Sequence, residues 1–566
     1  MKITPSSISL VSFIRRHQWL VLILVLATWL LFFRTSHGDL LGDDALYSTR
    51  SIGMLDLAFT VIQPTPLQWY DAYPWWANLS WHDHPVLLFF IQHLSLSISP
   101  TEFFAKLPYA LMTLGSVILM YVWTKGLFGK SIGLLAALLF TLDAHAIYLG
   151  RTALMESGVM FFILLTFCSW LAFVREKKYW WLFGLSLGLL LETKFTAFFV
   201  LPTLLVYTFI HARALFKEKR FYCAFALAMV VFLPVIIYNG MMYADRGHFA
   251  LQFARLFHES SPWQLSGVNE FTIRNVSAFA QSIGQSVSFP YLFLFVTSLL
   301  YVFAYHRRLA AWPLLGLLFV TIEDLTISTK GLSSLFIPVI VAIAFHYGTL
   351  SWQRRYRFVT AGFLIAYLFL FTVNSNLLVS PSGRAGWWHD NGGQRNYGAA
   401  QLNQYLDTLE ATVPDLGRFD QYDVLKIRKP SLHKYLLANI VDPDKRDVLN
   451  MKKIIVFDQN ILWFSQVWLF ARRGFYHDLA IFSTIELPKE ARALFSPETV
   501  YFIRATEFAP LDPSWKQSQS PGQWEAPLLA AGLTPVLIAR DDGGIAFKVY
   551  TITDPAIIVG YGFLRQ

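Results

Sequence analysis

Residues 18–33 read QWLVLILVLATWLLFF, with Arg15 and Arg16 just before them and Arg34 directly after. The run holds no charged residue, and a membrane-crossing helix needs about 20 mostly apolar residues, within a range of roughly 17 to 25. No small-residue cleavage site follows it, so it reads as a membrane anchor and not as a secretory signal.

Outward from this anchor the same pattern recurs. Apolar runs near Leu107–Phe128, Ser131–Leu149, Ala153–Val174, Tyr179–Leu191, Phe195–Ile210, Phe221–Tyr238, Ser286–Tyr305, Leu309–Thr326, Leu332–Leu350 and Phe358–Val373 bring the expected spans to about eleven. Glu192–Lys194, between the fifth and sixth, predicts a break at membrane depth. Every second connection is basic: Arg15 and Arg16; Lys125 and Lys130; Arg175, Lys177 and Lys178; Arg213, Lys217, Lys219 and Arg220; Arg307 and Arg308; Arg354, Arg355 and Arg357. Cytoplasmic loops carry this excess of Lys and Arg. The pattern predicts a multi-pass cell-membrane protein with its N-terminus cytoplasmic and everything after about Asn374 extracytoplasmic.

Composition agrees. Hydrophobic residues make up 55% of the chain and charged residues 15%, against about 25% charged in soluble domains. Mean hydropathy is +0.45. The net charge of +9 sits in short clusters between apolar runs, which is the pattern of membrane topology, so nucleic acid is excluded as a partner. Cys168 and Cys223 both lie in apolar segments and offer neither a disulfide framework nor metal-ligand spacing.

Two domains are expected. Residues 1–380 form a transmembrane helical bundle with a long first outer loop, 35–106, whose Trp69–Trp81 stretch is rich in Trp. A second long outer loop, Asn239–Gln285, has a helical pattern over Phe249–Phe257 that suits a helix lying in the interface. Residues 381–566 have ordinary soluble composition. Short strands are expected at Lys452–Phe457, Thr499–Ile503, Pro535–Ala539 and Ile545–Thr551, the last two flanking the turn Asp541-Asp542-Gly543-Gly544. Helical patterns near Gly398–Leu409 and Ile461–Phe470 complete a small α/β domain on the outer side.

Ionisable residues at membrane depth are costly and mark functional sites. Here they gather at the predicted outer ends of the spans: Asp43 and Asp44; His82, Asp83 and His84; Asp143, His145, Arg151 and Glu156; Glu192 and Lys194; Lys330. Taken singly each is ordinary, a solvated loop acid or an interfacial anchor. Together on one side they suit transfer of a sugar from a lipid phosphate to a hydroxyl. That reaction needs a base for the hydroxyl proton, and positive charge, from Arg, Lys or a divalent cation, where the departing phosphate gathers negative charge. Asp43 or Asp44 suits the first task; Arg151, Lys194 and Lys330 suit the second.

These residues carry a resemblance. Gly42-Asp43-Asp44-Ala45-Leu46-Tyr47, His84-Pro85-Val86-Leu87-Leu88, Gly150-Arg151-Thr152-Ala153-Leu154-Met155-Glu156, Gly188 to Lys194, and Lys330 before Phe336-Ile337-Pro338 together resemble the GT-C glycosyltransferases. The likeness is to the protein O-mannosyltransferase and aminoarabinose-transferase-like group, and it runs in order from about Trp19 to His346. Departures fall at Asp44, where that family has Glu, and at Val86, where it has Pro. The resemblance implies a polyprenyl-phosphate sugar donor, an inverting single displacement and Asp43 as catalytic base, with Asp44 beside it and His84 and Glu156 in support. The acceptor, whether protein, lipid or glycan, is left open. A transporter or lipid flippase with an outer cap domain is the rival reading, but it would place its charges near the midplane in paired, interrupted helices. A non-catalytic assembly subunit is the third; Asp43, Arg151 and Lys194 occurring together speak against it.

Overall fold

The computed structural model describes residues 10–54, 84–247, 249–250, 253, 288–327, 332–386, 388, 396–418, 452–477, 479–484, 498–511 and 521–560. They fall into two compact units, the first Met1–Thr35, Trp81–Ile91 and Lys106–Asn391, the second Ser36–Ser80, Gln92–Ala105 and Gly392–Gln566. This division differs from the expected 1–380 and 381–566, because much of the first loop groups with the C-terminal part. Polar side chains of that loop explain the grouping.

In chain order the helices are α1 (Leu10–Phe32), α2 (Asp43–Gly53, in the second unit), α3 (Leu87–Leu96), α4 (Glu102–Phe128), α5 (Lys130–Thr141), α6 (Ala144–Arg151), α7 (Glu156–Arg175), α8 (Trp180–Leu191), α9 (Val200–His211), α10 (Lys219–Arg246), α11 (Phe289–Tyr305), α12 (Ala311–Ile327), α13 (Ile337–Gly348), α14 (Arg354–Asn376) and α15 (Ala399–Thr412, in the second unit). Each of the eleven apolar runs holds helical residues, Ser131–Leu149 two helices with a bend between them, as hydrocarbon demands of backbone that must satisfy its own polar groups. By length and composition, five of the described helices suffice to cross a membrane, or up to six if the bent pair α5–α6 is one span. The expected eleven is not reached on this measure. Helices α8 and α9 have 12 residues each, about 18 Å of rise against a hydrocarbon core of about 30 Å. Hydropathy reads apolarity and is blind to where the backbone turns.

Two features show how the first unit is packed. Gly184 and Gly188 lie one turn apart on α8, where α10 comes close. A Cβ at Gly184 would stand 2.5 Å from the Ala224 carbonyl oxygen, and one at Gly188 2.5 Å from Val231 Cβ. Small residues at helical spacing permit this approach, which larger side chains would forbid.

The other is the 60° bend between α5 and α6. A break inside an apolar bundle exposes backbone groups, and neighbouring side chains take them up. The Asp143 carboxylate caps α6 by accepting from the Ala146 amide at 2.8 Å, and also accepts from Ser334 Oγ at 3.0 Å. Thr372 Oγ1 donates to the Leu142 carbonyl at 2.7 Å and Asn376 Nδ2 to that of Ala144 at 2.9 Å.

The second unit holds a five-stranded sheet of β1 (Lys453–Phe457), β2 (Ile481–Ser483), β3 (Thr499–Ala505), β4 (Val536–Ala539) and β5 (Ile545–Ile552), in the order β2-β1-β3-β5-β4. Strand β1 pairs parallel with β2 and β3, and β5 antiparallel with β3 and β4. The β4–β5 turn falls at Asp541–Gly544, with Gly543 at φ +86°, a conformation glycine adopts without strain. The expected strands are all present; β2, at three residues, is too short to show alternation in sequence.

Segments distant in sequence are tied together within this unit by buried polar groups. Asp39 accepts from the amides of Tyr397 at 2.5 Å and Ala400 at 2.7 Å, at the start of α15. Glu102 accepts from Trp468 Nε1 at 2.8 Å and Asn403 Nδ2 at 3.1 Å. Arg472 and Arg473 each donate to Asn403 Oδ1 at 2.7 Å, and Arg473 also pairs with Asp407. The expected helix at Ile461–Phe470 is a helical turn, Trp463–Gln466, then a π-helical turn, Val467–Ala471, that aims these arginines. The Trp69–Trp81 stretch and most of Phe249–Phe257 lie outside the described residues.

Asp143→Ala removes a helix cap, worth about 0.5–2 kcal/mol, and takes an acceptor from Ser334. Thermal unfolding of the protein in detergent should show a lower Tm; an unchanged Tm would mean that the bend does not depend on this carboxylate.

Candidate functional site

The acid pair opens α2. Asp44 is 6% exposed, and its Oδ1 accepts from the amides of Gly42 at 2.8 Å, Ala45 at 3.0 Å and Leu41 at 3.2 Å. That carboxylate oxygen is therefore engaged in starting the helix, where negative charge is favoured. Asp43, by contrast, is only partly buried. Further along, Gln92 clamps α2 by donating to Ser48 Oγ at 3.0 Å and accepting from Ser51 Oγ at 2.7 Å. Tyr476 Oη donates to the Thr49 carbonyl at 3.2 Å. The helix carrying the acids is thus held along its length by its own unit.

In the first unit, Lys194 Nζ lies 2.8 Å from Glu156 Oε1, with the side chains 15% and 5% exposed. Sequence reading grouped both with the site; the structure joins them as an ion pair. An ammonium carries three donors, and the pair engages one. Arg151, also buried, is drawn elsewhere. Its Nη1 donates to the carbonyls of Leu30 at 2.8 Å, Phe33 at 3.0 Å and Leu31 at 3.3 Å. The last four carbonyls of a helix lack intrahelical partners, and a cation there also suits the helix dipole. Sequence reading did not foresee this structural task for Arg151.

His84 is buried one turn before Leu88, and a Cβ at Gly158, near the start of α7, would touch Leu88. Asp143 belongs to the bend. His145 faces Trp388, ring centroids 5.3 Å apart, and Trp388 stacks on Tyr148 at 5.0 Å. Lys330, His82 and Asp83 lie outside the described residues.

Two polar residues of the same region were missed. Lys106 is 2% exposed with Nζ 3.4 Å from the Thr35 carbonyl, and Tyr109, fully buried, lies within electrostatic reach of Glu156. Lys106 directly precedes the run Leu107–Phe128 and Tyr109 lies in its first turn, where apolar neighbours mask them; the signal was their i, i+3 spacing. Among the described residues no group of three or more His, Cys, Asp or Glu side chains is placed to hold a metal ion. The expected possibility of a divalent cation thus finds no ligand set among the described residues.

Breaking a buried ion pair by removing one partner costs about 3–5 kcal/mol, because a charge is left uncompensated. Glu156→Gln and Lys194→Met should each lower stability on that scale. The double variant should cost clearly less than their sum when unfolding is followed in detergent. Additive losses would show that the two side chains are not coupled.

Comparison with known proteins puts this region in context. Residues 83–238 match the dolichyl-phosphate-mannose-protein mannosyltransferase family. YkcB of Bacillus subtilis (strain 168), named as a candidate mannosyltransferase, is 32% identical over 167 residues, 28% of this chain and 23% of YkcB. The chain thus matches less than a quarter of that relative's length. Among solved structures, ArnT from Cupriavidus metallidurans bound to undecaprenyl phosphate aligns at 15% identity and TM-score 0.47, covering 95% of this chain and 99% of that one. The Archaeoglobus fulgidus oligosaccharyltransferase tethered to an acceptor peptide aligns at 12% identity and TM-score 0.46, covering 95% and 74%. Over residues 83–238, the stretch that holds His84, Arg151, Glu156 and Lys194, the chain is similar to the dolichyl-phosphate-mannose-protein mannosyltransferases.

Proposed function

We propose that this chain is a membrane glycosyltransferase that moves a sugar from a polyprenyl-phosphate donor to an acceptor hydroxyl of a protein, lipid or glycan at the extracytoplasmic face, with inversion. One observation carries the reading. The family-matching stretch 83–238 contains an ion pair, Lys194–Glu156, with side chains 15% and 5% exposed, and a buried guanidinium, Arg151, among apolar helices. Charges kept in such surroundings at a desolvation cost mark function by default.

In this reading the acceptor hydroxyl attacks the anomeric carbon as the bond from that carbon to the phosphate oxygen breaks. The hydroxyl proton passes to Asp43, and the electron pair leaves on the lipid phosphate. Arg151, Lys194 and Lys330 supply positive charge to the phosphate, and His84 and Glu156 orient them. Asp44, with one oxygen held by three amides, fixes the start of α2 and leaves Asp43 as the base. The topology that goes with this reading has about eleven spans, a cytoplasmic N-terminus and residues 381–566 outside.

Asp43→Asn keeps shape but removes the proton acceptor, and a positioned general base contributes about 10² to 10⁴ in rate. Turnover of polyprenyl-phosphate mannose by purified protein in vesicles should fall by that factor while donor binding survives. Undiminished turnover would exclude Asp43 as base, and wild-type protein that neither binds nor turns over any polyprenyl-phosphate sugar would exclude the donor class. Reporter fusions after Arg357 and after Ser382 should report opposite compartments; the same compartment for both rejects the orientation.

A further inference from the structure

Two basic connections of the first unit come together at one end of its helices. Helix α11 ends at Tyr305 and α13 at Gly348. The His306 ring, just past the end of α11, stacks on Tyr347 with centroids 4.6 Å apart. The Tyr301 hydroxyl lies 3.3 Å from His306 Nε2, and a Cβ at Gly348 would stand 3.7 Å from the Tyr301 ring. Arg307 and Arg308 follow this stack directly. On its other side a short turn, closed by the Trp352 amide donating to the Thr349 carbonyl at 3.1 Å, leads into α14, which opens with Arg354, Arg355 and Arg357. Arg357 lies within electrostatic reach of His346, the neighbour of Tyr347.

Five guanidinium groups thus gather with no acid among them. Between Gln281 and His389 the sequence holds only the acids Glu323 and Asp324. Both lie toward the end of α12, about 18 Å of helix rise from its start. Among the described residues none of the five arginines forms an ion pair. Arg354 and Arg357 lie instead over the Phe358 ring, at 5.6 and 5.8 Å from its centroid, and Arg355 over that of Tyr356 at 5.5 Å. Other basic connections differ: Lys178 pairs with Glu176 at 2.6 Å, and Glu218 interrupts the run from Lys217 to Arg220. A topological signal needs only positive charge. An unshared excess, brought together from two loops, exceeds that need.

The surroundings say what the excess meets. Arg307, Arg308, Arg354 and Arg355 are exposed, and so are Tyr305, Trp352 and Tyr356 beside them. Tyr and Trp are enriched at the headgroup level of a bilayer. From there α11 and α14 continue with Phe303 and Phe363, 67% and 74% exposed, as a surface against acyl chains does. A guanidinium fork matches two phosphate oxygens at once.

We infer that these arginines form a binding surface for the phosphate-bearing headgroup of an anionic phospholipid of the surrounding leaflet. The chains of that lipid lie along the apolar faces of α11 and α14. The inference is independent of the sugar donor, the catalytic base and the orientation proposed above.

Full-length protein in detergent would be melted with added phosphatidylglycerol, with phosphatidylcholine and with inorganic phosphate. Wild type should gain Tm from phosphatidylglycerol and little from the other two. A basic residue near an anionic membrane surface strengthens association about fivefold. Arg307→Gln with Arg308→Gln should therefore weaken phosphatidylglycerol binding about tenfold or more, and so should Arg354→Gln with Arg355→Gln. Changing one loop at a time leaves the other to hold the topology, and Lys at the same positions should restore most of the affinity. Lys177→Gln with Lys178→Gln removes as much charge from a different connection and should leave binding unchanged. Equal gains from the two lipids, or an equal loss in the Lys177 and Lys178 variant, would reduce the five arginines to a topological signal and overturn the inference. Stabilisation by inorganic phosphate as strong as by phosphatidylglycerol would make the surface a general anion site and overturn the lipid as its occupant.

Discussion

The end of α1 is the constraint on which the first unit depends. A helix terminating among apolar helices leaves carbonyls with no water to turn to, and three of them converge on one guanidinium nitrogen, Arg151 Nη1. Arg151 closes α6, and α6 exists as a separate helix because the chain bends at Leu142–Ala144. The bend is tolerated because Asp143, Ser334, Thr372 and Asn376 absorb the backbone and side-chain groups it sets free. Polar residues that look like chemistry in sequence therefore carry an architectural duty first. Whatever else Arg151 does, it does from a position fixed by those carbonyls.

The same division of labour runs through the acid pair. Adjacent aspartates look equivalent in sequence, but the helix start breaks the symmetry. Asp44 Oδ1 accepts from three amides, one on each side of it and one from Leu41, so its neutralisation would cost the local fold. Asp43, beside it, is only partly buried. A base must change its protonation state without unravelling the element that bears it, and the three amides on Asp44 Oδ1 count against Asp44 in that task.

What sequence could reveal follows from the range of each physical signal. Hydrophobic runs and basic clusters are local, so the helices at all eleven apolar runs and the strands at β1, β3, β4 and β5 were legible. Backbone breaks are not local. The shortness of α8 and α9 and the 60° bend depend on which neighbour satisfies a freed carbonyl, and no window of residues records that. Motif resemblance pointed to Arg151, Glu156 and Lys194, yet the pairing of Lys194 with Glu156 joins residues 38 apart in sequence. Tyr109 and Lys106 stayed hidden because one lies in an apolar run and the other at its edge, where the run's apolarity masks them. Contacts within the second unit are as remote, since Asp39 and Glu102 find their partners some 300 residues or more onward, at Ala400 and Asn403.

Those long-range partners explain why the second unit retains charge in its interior. Burial pushes the Arg472 guanidinium down to about 9, even though Glu102, Asp407 and Glu410 favour its charged form. Replacing such groups by well-packed apolar side chains would often be neutral or stabilising, so stability alone does not account for them. Direction does. An apolar contact tolerates a slip of one residue, whereas Asn403, with its amide donating to Glu102 and its carbonyl oxygen accepting from Arg472 and Arg473, fits a single register of α15. Asp39 meets the start of the same helix, so the segment that precedes α2 and the segment that follows the apolar bundle are set by one polar pattern.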